Sequence, residues 1–405
     1  MYGRLRVAAL VATLVAAASA AQAQTAMTLA DVLTRARERA PQIESARLAL
    51  DEARGRLIGA SLRAQTNPEL EVQTGNRQAT NSRWTDLEVG LTQRLEPGSR
   101  RSARIDGANA VIARGAADIQ ETTRAVLHAA ARAYYRTVYA RERIRLLTAA
   151  QDVAAAVFAA ADRRFRAGDI AILDVNLARA SMARARAERE ATEALHADAL
   201  GDLKRLLGVD TDVTVKGDLT LPPGRELAAD LQAALQRPEL KVLEASLQEA
   251  EADVRFGQSL GRHDYGIGVR YAREAGDNIL LGGLTVALPV FAKGLDVQAI
   301  GLARATRLRA ELEAARTRVQ IDVRSAFDVY ARRAAAVGIL QADALPGLDE
   351  NDALITRSFD VGQLGLPDVL LIRREILETR FQYLDALLDA AQARADLDAS
   401  AGVLR

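Results

Sequence analysis

One short stretch of the sequence has the residue types and spacing of a catalytic motif. Residues 257–261 read G-Q-S-L-G, the G-x-S-x-G pattern in which a sharp turn between a strand and a helix presents a nucleophilic serine. Here a helical run, Leu240 to Arg255, comes before Ser259, and a strand-like run follows it. A glycine-rich exit from a helix explains this match, so we predict no enzymatic activity.

Residue types that bind metal ions or nucleic acids are sparse. The chain has three histidines, three methionines and no cysteine, and the histidines (His128, His196 and His263) form no motif with ligand spacing. We therefore predict no metal site and no cofactor. With 54 Lys plus Arg against 53 Asp plus Glu, the net charge of +1 gives no electrostatic footprint for nucleic acid.

Two carboxylates recur at the same place in a repeated pattern. FRAGDIAILDV and FDVGQLGLPDV share an aromatic residue, a glycine three residues later, and Asp-Val six residues after the glycine. The glycines suit the positive-φ position that ends a helix, and the aspartates are expected to cap the helix that follows. The pattern predicts two helical hairpin tips, with these residues: Phe165, Gly168, Asp169, Asp174 and Val175; Phe359, Gly362, Asp368 and Val369.

Landmarks elsewhere in the chain show the same duplication. Pro41 and Pro238 precede two Glu-Ala pairs that are 197 residues apart, and Gly208-Val209 returns as Gly402-Val403, 194 residues later. Two tandem repeats, 24–209 and 210–405, are therefore predicted. Each repeat consists of a helix, a strand pair (68–95 or 263–291) and a long helical hairpin. The tips are expected near 166–174 and 360–368.

The predicted strands alternate between apolar and polar residues, which is typical of half-buried strands. Val72 and Val89 illustrate the period in the first pair, as Ile267 does in the second. Outer membrane strands are about ten residues long, with one apolar face and aromatic residues near the interfaces. Trp84, Tyr265 and Tyr271 are the predicted interface aromatics. Four strands leave open edges, which lipid does not tolerate, so other copies must supply more strands.

The helical runs carry a seven-residue repeat of apolar and small residues, which predicts coiled-coil packing. A helix from Ser99 to Phe165 would be on the order of 100 Å long at ~1.5 Å per residue. Pro346-Gly347 interrupts the corresponding run of the second repeat, so a break is expected there. The seam residues are Ile112, Ala116, Ile119, Thr123, Val126, Ala130, Ala133, Thr137, Ala140, Ile144 and Leu147, then Leu370, Leu377, Phe381, Leu384, Leu388, Ala391 and Ala395.

The N-terminus reads as a cleaved signal peptide over residues 1–23. Arg4 and Arg6 precede an apolar run, and A-Q-A at residues 21–23 fits a cleavage site. The absence of cysteine excludes a lipidated N-terminal cysteine. Charged residues interrupt the later alanine-rich runs, so we expect no transmembrane helix there and membrane insertion through strands alone.

With its duplicated unit, paired strands and F-x-x-G-x5-D-V tips, the mature chain resembles the TolC-type outer membrane efflux proteins over essentially its whole length. The resemblance implies a mainly α fold with a small β part, exported to the outer membrane of a Gram-negative bacterium and extending into the periplasm. It implies a homotrimer in which four strands per subunit form a 12-stranded β-barrel and the long hairpins form a periplasmic helical barrel. The implied partners are a periplasmic adaptor, an inner-membrane RND transporter and outer membrane lipid.

The resemblance also implies roles for the two tips. In this family the hairpin tips meet the adaptor, and acidic residues on the second hairpin form a ring that narrows the pore. Asp368 stands at that ring position, whereas Leu371 stands at the place of a second ring found in some members. Three carboxylates around a threefold axis repel one another and attract cations, which suits a gate.

A narrower resemblance concerns the segments after each strand pair. Residues 94–110 and 287–305 are similar to those of outer membrane subunits in heavy-metal efflux systems of the cobalt-zinc-cadmium type, although Pro97 and Ser99 depart from the commoner Gly and Lys. Divalent metal cations are therefore the expected solutes. Drug efflux and type I protein secretion remain alternatives within the channel class. A periplasmic adaptor or a structural coiled coil fits less well, because this chain has two hairpins and matching strand pairs.

Overall fold

The computed structural model describes residues 26–360 and 363–404, so the predicted signal peptide lies outside the described residues. The helices in chain order are α1 Leu29–Arg39, α2 Pro41–Ser61, α3 Gly98–Arg166, α4 Ile172–Leu207, α5 Leu227–Ala234, α6 Pro238–Leu260, α7 Leu295–Ile339, α8 Pro346–Asp360 and α9 Leu366–Ala401. The strands are β1 Ala26–Met27, β2 Glu69–Ala79, β3 Ser82–Leu95, β4 Thr214–Val215, β5 Asp264–Glu274 and β6 Asp277–Ala287.

The order of elements recurs along the chain. A short strand, two helices, a strand pair, a long helix and a returning helix appear from β1 to α4, and the same order appears from β4 to α9. The short strands β1 and β4 pair with each other in parallel. This order is the one expected for two tandem repeats, and the division at residues 209 and 210 stays a prediction.

The two long helices differ as their sequences predict. Helix α3 runs unbroken for 69 residues. Its counterpart α7 ends at Ile339 and continues as a π-helical turn over Leu340–Ala344, before α8 begins at Pro346. The Leu345 N–H donates to the Leu340 carbonyl at 3.1 Å, five residues back. The predicted break is confirmed, because Pro346 has no N–H with which to continue the helical ladder.

Helix α3 departs from one expectation about membrane spans. It contains an 18-residue window with a mean hydropathy of 1.4, so by length and composition it could cross a membrane. The expectation that no helix reaches this level was wrong, because runs of alanine with a few larger apolar residues outweigh the interspersed charges. This composition alone is weak evidence for a span, since core helices share it.

The chain forms two compact units, which we call the sheet unit and the hairpin unit. The sheet unit comprises residues 44–122 and 232–321. The hairpin unit comprises, among the described residues, 26–43, 123–231 and 322–404.

The sheet unit contains a four-stranded antiparallel sheet in the order β2-β3-β5-β6. Directly opposed residues of antiparallel strands lie on the same face, and the register aligns Leu91 with Leu70 on one side and Val269 on the other. This register collects most of the large apolar residues of the four strands on one face, as the alternation predicts, although Ile279 and Leu281 of β6 lie on the other face. Its members are Leu70, Val72, Leu87, Val89, Leu91, Leu95, Tyr265, Ile267, Val269, Tyr271, Leu280, Leu284 and Val286.

The opposite face of the sheet is mainly polar, with an ion pair between Arg270 Nε and Glu88 Oε1 at 2.8 Å. Trp84 lies on this polar face, because it is paired with Arg77, and its ring lies against Gly276. Tyr265 and Tyr271 lie on the apolar face. The two tyrosines therefore share a face with the other apolar strand residues, and Trp84 does not.

The stretch with the catalytic spacing is the end of α6. Ser259 is inside the helix, and its hydroxyl donates to the Phe256 carbonyl at 2.6 Å. A Cβ at Gly257 would lie 2.6 Å from the backbone nitrogen of Gln298 on α7. The glycine thus permits a close helix contact, and no strand precedes the serine as a nucleophile elbow requires.

The core of the hairpin unit follows the predicted coiled-coil seams. Val126, Ala133, Ala140 and Leu147 of α3 are buried, as are Phe381, Leu384, Ala391 and Ala395 of α9. Val126, Ala133, Leu384, Ala391 and Ala395 belong to one cluster with Val32 of α1 and with Leu203 and Leu207 of α4. In the sheet unit the seam is weaker, since Ala116 is exposed and Ile112 and Ile119 are half-buried.

The contact at Gly257 generates a test within the G-Q-S-L-G stretch. Gly257→Ala forces a methyl group against the backbone of Gln298, so we expect the free energy of unfolding to fall by about 1–3 kcal/mol. Thermal melts of the purified protein, followed by helical circular dichroism, measure this change. The matched control Ser259→Ala removes only a hydroxyl bonded to its own helix and should melt near the wild type. The opposite ranking of the two variants would contradict the packing role of Gly257.

Candidate channel gate at the hairpin tips

The first tip joins α3 to α4 within the hairpin unit. Gly168 has φ of +87°, and its N–H donates to the Phe165 carbonyl at 2.9 Å. An added Cβ there would meet nothing within 4 Å, so the conformation alone accounts for the glycine. The prediction that Gly168 ends the helix with a positive φ is confirmed.

The second tip joins α8 to α9. The backbone N–H groups of Gln363 and Leu364 both donate to the Ser358 carbonyl, at 2.9 and 3.3 Å. Gly362, the predicted counterpart of Gly168, lies outside the described residues. Gly365 immediately precedes α9 in an extended conformation, with φ of −72°.

The predicted capping role of the two aspartates is wrong. Helix α4 has Ala171 at its N-cap and α9 has Gly365, and neither cap has a side-chain hydrogen bond. Asp174 is the third residue of α4, after Ile172 and Leu173. Asp368 is the third residue of α9, after Leu366 and Pro367. Both carboxylates still lie in the first turn, where the positive end of the helix dipole stabilises a negative charge.

The two tips share a hydrophobic core. Leu366, at the start of α9, packs in a cluster with four residues of the first hairpin: Val157, Ala161, Val175 and Ala178. Val369 packs in a second cluster with Ile355 and Ile376 of its own hairpin. Phe359 is partly buried against both clusters. Val175 and Val369, each 1% exposed, therefore hold the tips together from inside.

Other tip residues present their side chains to the surface. Asp169 and Asp368 are exposed, as are the apolar side chains of Phe165, Leu173 and Leu371, at 39%, 74% and 66%. The two residues of the Asp-Val pair therefore have different environments. The valine packs in the core, and the carboxylate of the second tip, at Asp368, faces solvent.

A groove runs from the second tip along α3, α4 and α9, and its walls combine alanine and leucine side chains with four arginines, Arg184, Arg373, Arg374 and Arg380. Polar contacts lie at its other end. Arg143 lies over the ring of Phe381, 4.1 Å from the ring centroid, and pairs with Glu188 at 3.2 Å. Tyr139 donates to Asp385 at 2.5 Å. Burial, together with this carboxylate, raises the pKa of Tyr139 to about 12, so the phenol stays protonated and keeps donating.

Across the described residues, no group of three or more His, Cys, Asp or Glu side chains could hold a metal ion. Asp368 is thus a single carboxylate in each chain, and a cation at this position needs carboxylates from further copies.

A sheet with one exposed apolar face, carried by a chain that also forms two long helical hairpins with joined tips, is the arrangement that the resemblance to TolC-type outer membrane channels implies. Known proteins agree with this class. Residues 32–209 match the family model described as outer membrane efflux protein. The cobalt-zinc-cadmium resistance protein CzcC of Cupriavidus metallidurans is 27% identical over 356 residues, covering 86% of this chain and 84% of that protein.

Solved structures show the same fold at low sequence identity. A membrane protein from Pseudomonas aeruginosa superposes with a TM-score of 0.77 and 17% identity, covering 92% of both chains. The channel protein CusC superposes with a TM-score of 0.75 and 15% identity, covering 92% of this chain and 91% of that one. Over residues 32–209 the chain matches the outer membrane efflux protein family, which is the family that its repeated tips and strand pairs resemble.

The shared core of the tips generates a test with a matched leucine pair. Leu366→Ala removes a side chain that is 6% exposed, so we expect the tip to open more easily by about 2–4 kcal/mol. Hydrogen–deuterium exchange of the amides of residues 165–175 measures this opening. Leu371→Ala, at a leucine that is 66% exposed, should leave the exchange nearly unchanged. Equal effects of both variants would contradict the shared core.

Proposed function

We propose that this protein is the outer membrane channel of a tripartite efflux pump and conducts solutes passively to the exterior. The single observation that carries the proposal is the four-stranded sheet, with its exposed apolar face and with one neighbour each for β2 and β6. A sheet with free edges is not stable in lipid. Three copies, with four strands from each, close a 12-stranded barrel and leave no edge.

The proposed partners follow from the resemblance to this family. A periplasmic adaptor meets the hairpin tips, and an inner-membrane RND transporter supplies the energy. The proposed tip surface consists of the exposed residues Phe165, Gly168, Asp169 and Asp368, with Phe359 at its margin and Asp174 in the first turn of α4. Trp84, Tyr265 and Tyr271 are proposed to lie near the membrane interfaces.

Divalent heavy-metal cations are the proposed solutes. The similarity to CzcC, which is named for cobalt, zinc and cadmium resistance, supports this substrate class. With no metal-binding cluster in the described residues, the metal ion passes as a diffusing solute, and the transporter sets selectivity. Export of drugs or of proteins through a type I system is the alternative, because a generic channel wall suits any of these solutes.

The proposal also covers the N-terminal segment and the two repeats. The signal peptide over residues 1–23 directs export, and the absence of cysteine means that no lipid is attached to an N-terminal cysteine. Residues 24–209 and 210–405 act as two structural repeats, so that each subunit provides two strand pairs and two hairpins. The trimer then has six hairpin tips at its periplasmic end.

Gene deletion tests the proposed function and its substrate class. Loss of the channel should lower the concentrations of Co²⁺, Zn²⁺ and Cd²⁺ that stop growth, and the native gene supplied on a plasmid should restore them. Growth in the presence of dyes and detergents is measured in parallel. Sensitivity to dyes and detergents alone would favour drug efflux. A protein recovered only as a soluble monomer would exclude the channel function.

The proposed gate predicts how single channels respond to cations. A carboxylate and a unit charge ~4 Å apart interact by ~1 kcal/mol in water, and Asp368→Ala removes three such groups from a trimer. We expect higher conductance in planar bilayers and an at least roughly tenfold higher concentration of multivalent cation for half block.

Asp174→Ala is the matched control, because Asp174 has the same position in the first turn of α4 that Asp368 has in α9. Its conductance and block should stay close to those of the wild type. A gate built from Asp368 is excluded if both variants behave alike.

A further inference from the structure

The segment that follows β6 is apolar and exposed. Phe291 is 97% exposed, the largest value for a large apolar side chain among the described residues, and Leu288, Val290 and Leu295 are 66%, 59% and 65% exposed. Such an exposed apolar patch is typical of a protein or lipid contact, and this one follows a strand with one free edge.

A second exposed apolar patch lies at the end of α2, just before β2. Ile58 and Leu62 are 70% and 51% exposed, and Leu62 directly follows Ser61, the last residue of the helix. A Cβ added at Gly59, between them, would meet nothing within 4 Å. Both patches belong to the sheet unit, and they flank the two free edges of its sheet.

Strand direction places the two patches at the same level of a closed barrel. Neighbouring strands are antiparallel throughout the sheet, so β6 of one copy runs antiparallel to β2 of the next. The last residue of β6, Ala287, then lies level with the first residue of β2, Glu69. Residues 288–295 therefore leave the sheet where α2 of the neighbouring copy arrives.

The same junction already exists inside the chain, between the first strand pair and the second. Leu95 at the end of β3 is paired with Tyr265 at the start of β5. The next helix, α3, then contacts the end of α6, because Arg100 pairs with Asp264 at 2.7 Å and donates to the Ser259 carbonyl at 3.3 Å. By the duplication, residues 288–295 correspond to the start of α3, and the end of α2 corresponds to the end of α6.

We propose that Phe291 and its apolar neighbours bury against Ile58 and Leu62 of a second copy of this chain. The inference rests on the trimeric channel proposed above and names the contact that joins its subunits below the barrel. The junction within the chain is ionic, through Arg100 and Asp264, whereas the junction between chains is apolar. Apolar burial suits an interface that forms between separate subunits, because no charge must be desolvated.

Cross-linking of the full-length protein in outer membranes tests the contact directly. The chain has no cysteine, so Leu62→Cys with Phe291→Cys introduces the only thiols. A short bismaleimide should convert most of this variant to covalent dimers and trimers, and each single variant should stay at background. Leu62→Cys with Leu280→Cys is the matched control, because Leu280 lies seven residues before Ala287, the last residue of β6, and is therefore about 23 Å further along the strand at ~3.3 Å per residue.

Trimer stability gives a second, independent measurement. At a temperature where the wild type is still mostly trimeric on semi-native gels, we expect the monomer fraction of Phe291→Ala to rise about tenfold, as for the truncation of an aromatic interface anchor. Phe291→Leu should retain most of the stability. Leu195→Ala, at a leucine that is 55% exposed on α4, should match the wild type.

The outcomes separate this contact from the channel proposal. A wild-type protein that is monomeric in membranes would overturn the channel and the contact together. A wild-type trimer with no cross-link at Leu62 and Phe291, and with unchanged stability in Phe291→Ala, would overturn the contact only. In that case, quenching of Phe291→Trp fluorescence by brominated lipid, measured in a Trp84→Phe background, would assign the patch to the membrane.

Discussion

The rest of this structure depends on the need to pair every backbone N–H and C=O group within lipid. The sheet meets that need internally through the β2-β3, β3-β5 and β5-β6 ladders, and it leaves one edge of β2 and one edge of β6 for other copies. The alternation of side chains separates a mainly apolar face from a mainly polar one. In the channel that we propose, one face meets lipid, the other meets the pore, and further copies of the chain pair with the free edges.

The helices pair their backbone N–H and C=O groups within each helix. The hairpin unit packs long helices through small seam residues, which allow close approach without large side chains. Its ends are fixed by compact apolar clusters, in which Leu366 ties the second hairpin to the first. Val175 and Val369 are buried and hold the helices together, while Asp368 is exposed, where the proposed gate places its charge beside a passing solute.

Much of this architecture could be predicted from local sequence. The two-residue period placed Ile267 and Val269 on an apolar face, Gly168 marked a positive φ, and Pro346 marked the interruption of the second long helix. The duplicated order of landmarks predicted the strand pairs and both tips. These features depend on residues close together in the chain, so the sequence alone carries the information.

Other features were decided only by the tertiary structure. The aspartates looked like helix caps, but the helices begin two residues earlier, so Asp174 and Asp368 became first-turn residues. Trp84 shares a face with Arg77 because of strand register, and Leu366 is buried by residues about two hundred positions away. Phe291 reads in sequence as an ordinary apolar residue, and only the fold leaves it exposed beside a free edge. Composition, periodicity and turn chemistry are local and were readable from the sequence, whereas register and long-range packing depend on which distant segments meet in space.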